Sequence, residues 1–84
     1  MCDSVVRVDA YAAEHLLESP ISSDQTARTL DDGRVEFTAT AVDTKQLRWW
    51  LTGFGDALEV IEPRDLRAAM AEQAEAVAEM YRNE

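Results

Sequence analysis

His15 is the single histidine of the chain, so proton transfer near neutral pH would fall to it first. A general base needs a nucleophile or a second titratable group within reach. No such pairing is legible. Cys2 is the single cysteine, it has no partner for an intrachain disulfide, and no Cys/His spacing suits zinc. His15 reads as a lone histidine on an amphipathic segment. Asp31 and Asp32 precede Gly33 as turn residues, and no EF-hand spacing follows them. Glu72, Glu75 and Glu79 recur at helical spacing and read as a solvated face. Gly53-Phe54-Gly55 follows a helical segment instead of opening one, so no helix N-terminus is offered to a phosphate. Catalytic residues, metal ligands and cofactors are therefore not expected, and neither is an enzyme.

Binding chemistry is better represented. Leu47, Trp50, Leu51 and Phe54 fall at i, i+3, i+4 and i+7, which marks a buried helical stripe. Trp50 is expected in the core. Arg48 and Trp49 lie off that stripe. A partly exposed tryptophan beside an arginine is a common composition for an interface hot spot, and arginine suits bidentate contact with phosphate. Arg48 and Trp49 are the candidates for an effector or subunit contact.

These side chains need a scaffold, and the pattern supplies one. Ser4–Val8 reads as a first strand, and Asp9 as the cap of a helix over Ala10–Ser19 that Pro20 ends. Gln25–Leu30 is a weak edge strand. Asp31-Asp32-Gly33 is a hairpin signal, and Arg34–Val42 alternates clearly as a strand. Asp43 is expected to cap the next helix, with Gln46 completing a capping box, and Gly53 and Gly55 to stop it. Ala57–Ile61 is a fourth strand. Pro63 is placed in the first turn of a last helix reaching Arg82. The order is βαββαβ plus a C-terminal helix. It predicts one α+β domain over residues 1–84: a ferredoxin-like sandwich with right-handed crossovers and an added helix. Val6, Val8, Phe37, Ala39, Leu58 and Val60 would face the two internal helices. Val5, Arg7, Glu36, Thr38, Thr40 and Glu59 would face away, and without aromatics there the sheet is no base-stacking RNA platform.

The last helix carries Leu66, Met70, Val77 and Tyr81 on one face with Ala69 and Met80 beside it. That is more apolar surface than one small domain can cover. Trp49, Met80 and Tyr81 are therefore the candidate interface residues, and a homodimer is the expected assembly. Eight basic against seventeen acidic residues give a net charge of −9, which opposes autonomous binding to duplex DNA. No apolar run approaches membrane-spanning length, and Met1-Cys2-Asp3-Ser4 lacks the features of a signal peptide. A cytoplasmic location is expected.

The segment from Leu47 to Pro63, with its Arg48-Trp49-Trp50 helix, Gly53-Phe54-Gly55, the aliphatic strand and Glu62-Pro63, resembles the WCX domain. WCX is the C-terminal extension of WYL-domain bacterial transcriptional regulators. The opening strand with Asp9, the central strand and the closing alanine-rich helix fit as well, so the resemblance covers nearly the whole chain. It implies a regulatory and dimerisation domain that assists the response to an effector, with a nucleic acid among the effectors to consider. It also implies WYL and helix-turn-helix domains as partners within a parent chain. The alternative is a ferredoxin-like module that senses a small molecule at a dimer interface.

Overall fold

The computed structural model describes residues 2–42 and 44–82. Four strands and three α-helices alternate as β1 (Cys2–Val8), α1 (Ala10–Glu18), β2 (Thr26–Thr29), β3 (Val35–Ala41), α2 (Lys45–Thr52), β4 (Leu58–Glu62) and α3 (Arg64–Arg82), with a short 3-10 turn over Gly55–Ala57 before β4. The sheet order is β2-β3-β1-β4, and every neighbouring pair is antiparallel. β1 lies in the middle because both of its faces and both of its edges are used. Val6 stands opposite Phe37 on one side and Val60 on the other.

Alternation along the strands sorts the side chains. Val6, Val8, Phe37, Leu58 and Val60 join Ala12, Ala13 and Leu16 of α1, Leu51 of α2 and Leu66 of α3 in one buried cluster. Phe37, Leu16, Val6 and Val8 have no exposed surface. Burying a side chain of this size is worth about 1.5–3 kcal/mol, so this layer supplies the main driving force for folding.

The α+β class and the antiparallel sheet agree with expectation. The ferredoxin-like description, with two crossover helices as the cover and a third merely added, does not hold in that form. α2 has eight residues, about 12 Å of helix, and among them only Leu51 is buried. The first turn of α3 fills the remaining space with Leu66, 1% exposed. The third helix is thus a member of the core layer. Its position is fixed at its start, where the Pro63 carbonyl accepts from the Arg67 N–H at 3.0 Å. Pro63 therefore stands just before the helix and not in its first turn. The Glu62–Pro63 peptide is cis.

Local chemistry explains the boundaries. Gly33, at φ +90°, makes the turn between β2 and β3. Its N–H donates to the Leu30 carbonyl at 3.0 Å, and the Leu30 N–H donates to the Arg34 carbonyl at 2.7 Å. Asp9 opens α1 through its backbone alone: its carbonyl accepts from Ala12 and Ala13, and its side chain makes no capping bond. Asp43, expected to cap α2, lies outside the described residues, as do Met1 and the side chain of Cys2. Thr44 is the cap, its Oγ1 accepting from the Leu47 N–H at 3.0 Å. The gap between α1 and β2 is closed by Gln25, which donates from Nε2 to the Leu16 carbonyl and accepts at Oε1 from the Ile21 N–H.

Candidate docking surface

α2 turns Trp49 outward because Leu51 points into the core, with Leu47 and Phe54 packed partly against it, while Arg48, three residues before Leu51, is half-buried. Trp49 is two residues from Leu51, a turn of about 200° around the helix, so it faces away from that direction. It is 80% exposed. Lys45, Gln46, Arg48, Trp49 and, from α3, Gln73 line a shallow hollow of about 390 Å³. A broad indole flanked by two cations in a chain of net charge −9 is a local exception in composition. It can bind by apolar contact, by stacking, or through an anionic group.

Trp50 departs from expectation. It is 38% exposed and stands at the margin of the helical layer. Its ring meets Phe54 edge to face at 5.3 Å between centroids, and Phe54 meets His15 in the same manner at 6.3 Å. The inward line of α2 runs Leu47–Leu51–Phe54, and Trp50 flanks it. His15 is accounted for by this aromatic contact. Among the described residues no group of three or more His, Cys, Asp or Glu side chains is placed to hold a metal.

Met80 and Tyr81, named with Trp49 as one interface, are also exposed, at 71% and 76%. They do not line the hollow at Trp49. Trp49 borders Gln73, and Met80 lies seven residues beyond it on α3, about 10 Å along the axis. A second groove, of about 440 Å³, runs between β4 and α3, with Leu58, Val60, Met70, Ala74 and Val77 among its walls.

Sequence reasoning missed the charge lattice on the open sheet face. Glu36 of β3 accepts from Arg7 Nε at 3.1 Å and from Arg28 Nη2 at 2.9 Å. Glu59 of β4 accepts from Arg34 Nη1 at 3.1 Å and Arg67 Nη1 at 3.0 Å. Hydrogen bonds from Arg34, then from Arg67, hold the Glu59 carboxyl below its usual range, as expected where donors favour the charged form. Asp32 is lowered likewise, first by the Arg34 N–H and then by its guanidinium. The signal was present in the alternation, which puts Arg7, Glu36 and Glu59 on one face. The partners of Glu36 follow only once register sets Arg7 and Arg28 opposite it.

Asp24 is a further residue not foreseen. It accepts from the hydroxyls of Ser22 and Thr40 and from the Thr40 N–H at 3.0 Å. These bonds, Ser22 first, lower its pKa to about 2. Two residues before β2, its carboxylate thus occupies the place of a backbone acceptor and extends the ladder beside β3.

The family model of the WCX domain matches residues 2–78. A search of the curated proteins finds no match.

Proposed function

The chain belongs to the WCX domain family, and from that premise we propose that it serves as a regulatory docking domain whose contact surface is centred on Trp49. WCX domains are found in WYL-domain transcriptional regulators and form a regulatory, non-catalytic family. In this reading the domain assists dimerisation and the response of the parent regulator to its effector, in the bacterial cytoplasm. It contacts the WYL and helix-turn-helix domains of that chain and leaves the reading of duplex DNA to them.

The observation that carries this reading is Trp49, 80% exposed on a helix whose other large apolar residues are covered more fully. A side chain of this size gains most from burial against a partner. Arg48 and Lys45 beside it would steer an acidic or phosphorylated group to the same spot. Met80 and Tyr81 form the second contact area. The alternative is small-molecule sensing at a dimer interface, for which the β4–α3 groove of about 440 Å³ would be the site.

The test is a promoter-reporter assay of the parent regulator carrying Trp49→Ala or Arg48→Ala. Loss of the regulated response, with the protein still folded and abundant, supports the reading. A normal response from both variants would sink it.

A further inference from the structure

We propose that the hollow between the C-terminal ends of α1 and α2 binds a compact methylated ammonium cation, caged by the rings of His15, Trp50 and Phe54. His15, Ser19, Trp50, Gly53 and Phe54 line a space of about 320 Å³ there. None of these residues lines the hollow at Trp49 or the β4–α3 groove. The site is therefore additional to the docking surface and does not rest on it.

The rings have the arrangement that an ammonium group requires. A cation is attracted to the face of an aromatic ring through the ring's quadrupole, and tryptophan offers the strongest such face. Phe54 stands at 88° to Trp50, with 5.3 Å between centroids. It stands at 74° to His15, with 6.3 Å between centroids. Two rings thus meet a third nearly at right angles, and all three border one hollow. They make adjoining walls and not a flat stack. Trp50 lies in the last turn of α2 and Phe54 just past its end, four residues on, which sets both on one side of the chain. His15 and Trp50 are exposed and Phe54 is half-buried, so the walls are open to a ligand.

The backbone selects the sign of the ligand. α1 ends at Glu18 and α2 at Thr52, and their C-caps are Ser19 and Gly53. Both caps line the hollow. A helix C-terminus carries about half an elementary negative charge, and here two such ends share one space. A basic side chain in the last turn commonly offsets that charge. α2 has none there, and α1 has only His15. Among the described residues no lysine or arginine lines the hollow. The net charge of −9 adds to the attraction for a cation. An anion is disfavoured by the same field, and a neutral apolar ligand gains nothing from it. A methylated ammonium uses both features: its methyl groups contact the ring faces, and its spread charge needs no hydrogen-bond acceptor.

Tetramethylammonium chloride is the probe, titrated into the 84-residue chain at constant chloride and about pH 8, above the ordinary imidazole range. Amide and indole N–H resonances report binding. The Trp50 indole signal should move to saturation in the millimolar range, with a larger shift than that of Trp49. Choline should bind as well. Neohexyl alcohol, which copies choline's shape without its charge, should bind at least about tenfold more weakly (about 1.4 kcal/mol). Trp50→Leu and Phe54→Leu, checked for folding by circular dichroism, should each weaken tetramethylammonium binding by a similar factor. The comparison of choline with its neutral copy uses the wild type, so it decides the matter even if a variant fails to fold. A peptide carrying trimethyl-lysine tells a protein-borne cation from a free one, and tighter binding of either the peptide or choline supports the site. No saturable shift, equal binding of neohexyl alcohol, or folded leucine variants that bind like wild type overturns the proposal. The reporter assay on Trp49 and Arg48 is independent of these outcomes, so failure here leaves the docking reading standing.

Discussion

At the scale of single residues, adjacent side chains on α2 differ widely in worth. Leu51 is buried in the core cluster shared by the sheet and the helices, Trp50 is partly covered by Phe54, and Trp49 is mostly exposed. Leu51→Ala should therefore cost about 2–5 kcal/mol. Trp50→Ala should cost less, about 1–2 kcal/mol for a half-covered aromatic pair. Trp49→Ala should stay within about 0.5 kcal/mol in the monomer. Urea melts of the three variants check the order. The order was not legible in the sequence: a periodic stripe gives the buried side of a helix to within one residue, and the tilt of an eight-residue helix decides between neighbours. Asp24 gives a second test. Its pKa is lowered to about 2 in the folded chain, below the ordinary carboxylate value near 3.9. Its contribution is complete above that ordinary value and is lost as pH falls through about 2. Asp24→Asn should thus be less stable than wild type at pH 6, with the difference shrinking as the pH falls from about 4 to 2. A difference independent of pH would contradict the assignment.

At the scale of elements, the hairpin between β2 and β3 was the most legible feature. Asp31-Asp32-Gly33 specifies a reversal, and Gly33 takes a left-handed conformation at φ +90° with open space around it. Gly33→Ala meets no steric neighbour, so its cost comes from backbone conformation alone, about 1 kcal/mol. A drop in the thermal midpoint with the sheet's circular dichroism retained below the transition is the expected outcome. Strand faces were also legible, because a period of two is hard to mistake where Val35, Phe37 and Ala39 alternate with Glu36 and Thr38. The charge pairs on the open face were not, since they depend on which strands become neighbours and in what register. The helical layer was misjudged for a similar reason. Nothing in the pattern of α3 says that its first turn completes the core beside a short α2.

At the scale of the whole molecule, charge is the dominant constraint. A net charge of −9 acts over distances comparable to the Debye length, about 8 Å at physiological salt, and repels polyanions. Among the eight basic residues, Arg7, Arg28, Arg34 and Arg67 are already engaged with carboxylates. The domain on its own should show no shift of a duplex DNA probe in a gel or in fluorescence anisotropy at moderate salt. Sequence-selective micromolar binding would overturn that expectation.

Arg67 has one more effect. Its guanidinium donates to the Val60 carbonyl at 2.9 Å as well as to Glu59, and that carbonyl lies on the outer margin of β4, the last strand of the sheet. At the other margin β2 has only four residues, all of them exposed. Strand-to-strand polymerisation needs a chain that can both receive a strand and offer one, each along a free length of backbone. Here one margin is stoppered by a cation and the other is too short to template much. Growth of the sheet from molecule to molecule therefore stalls at its first step, and crowded solutions of this small acidic domain should remain free of fibres.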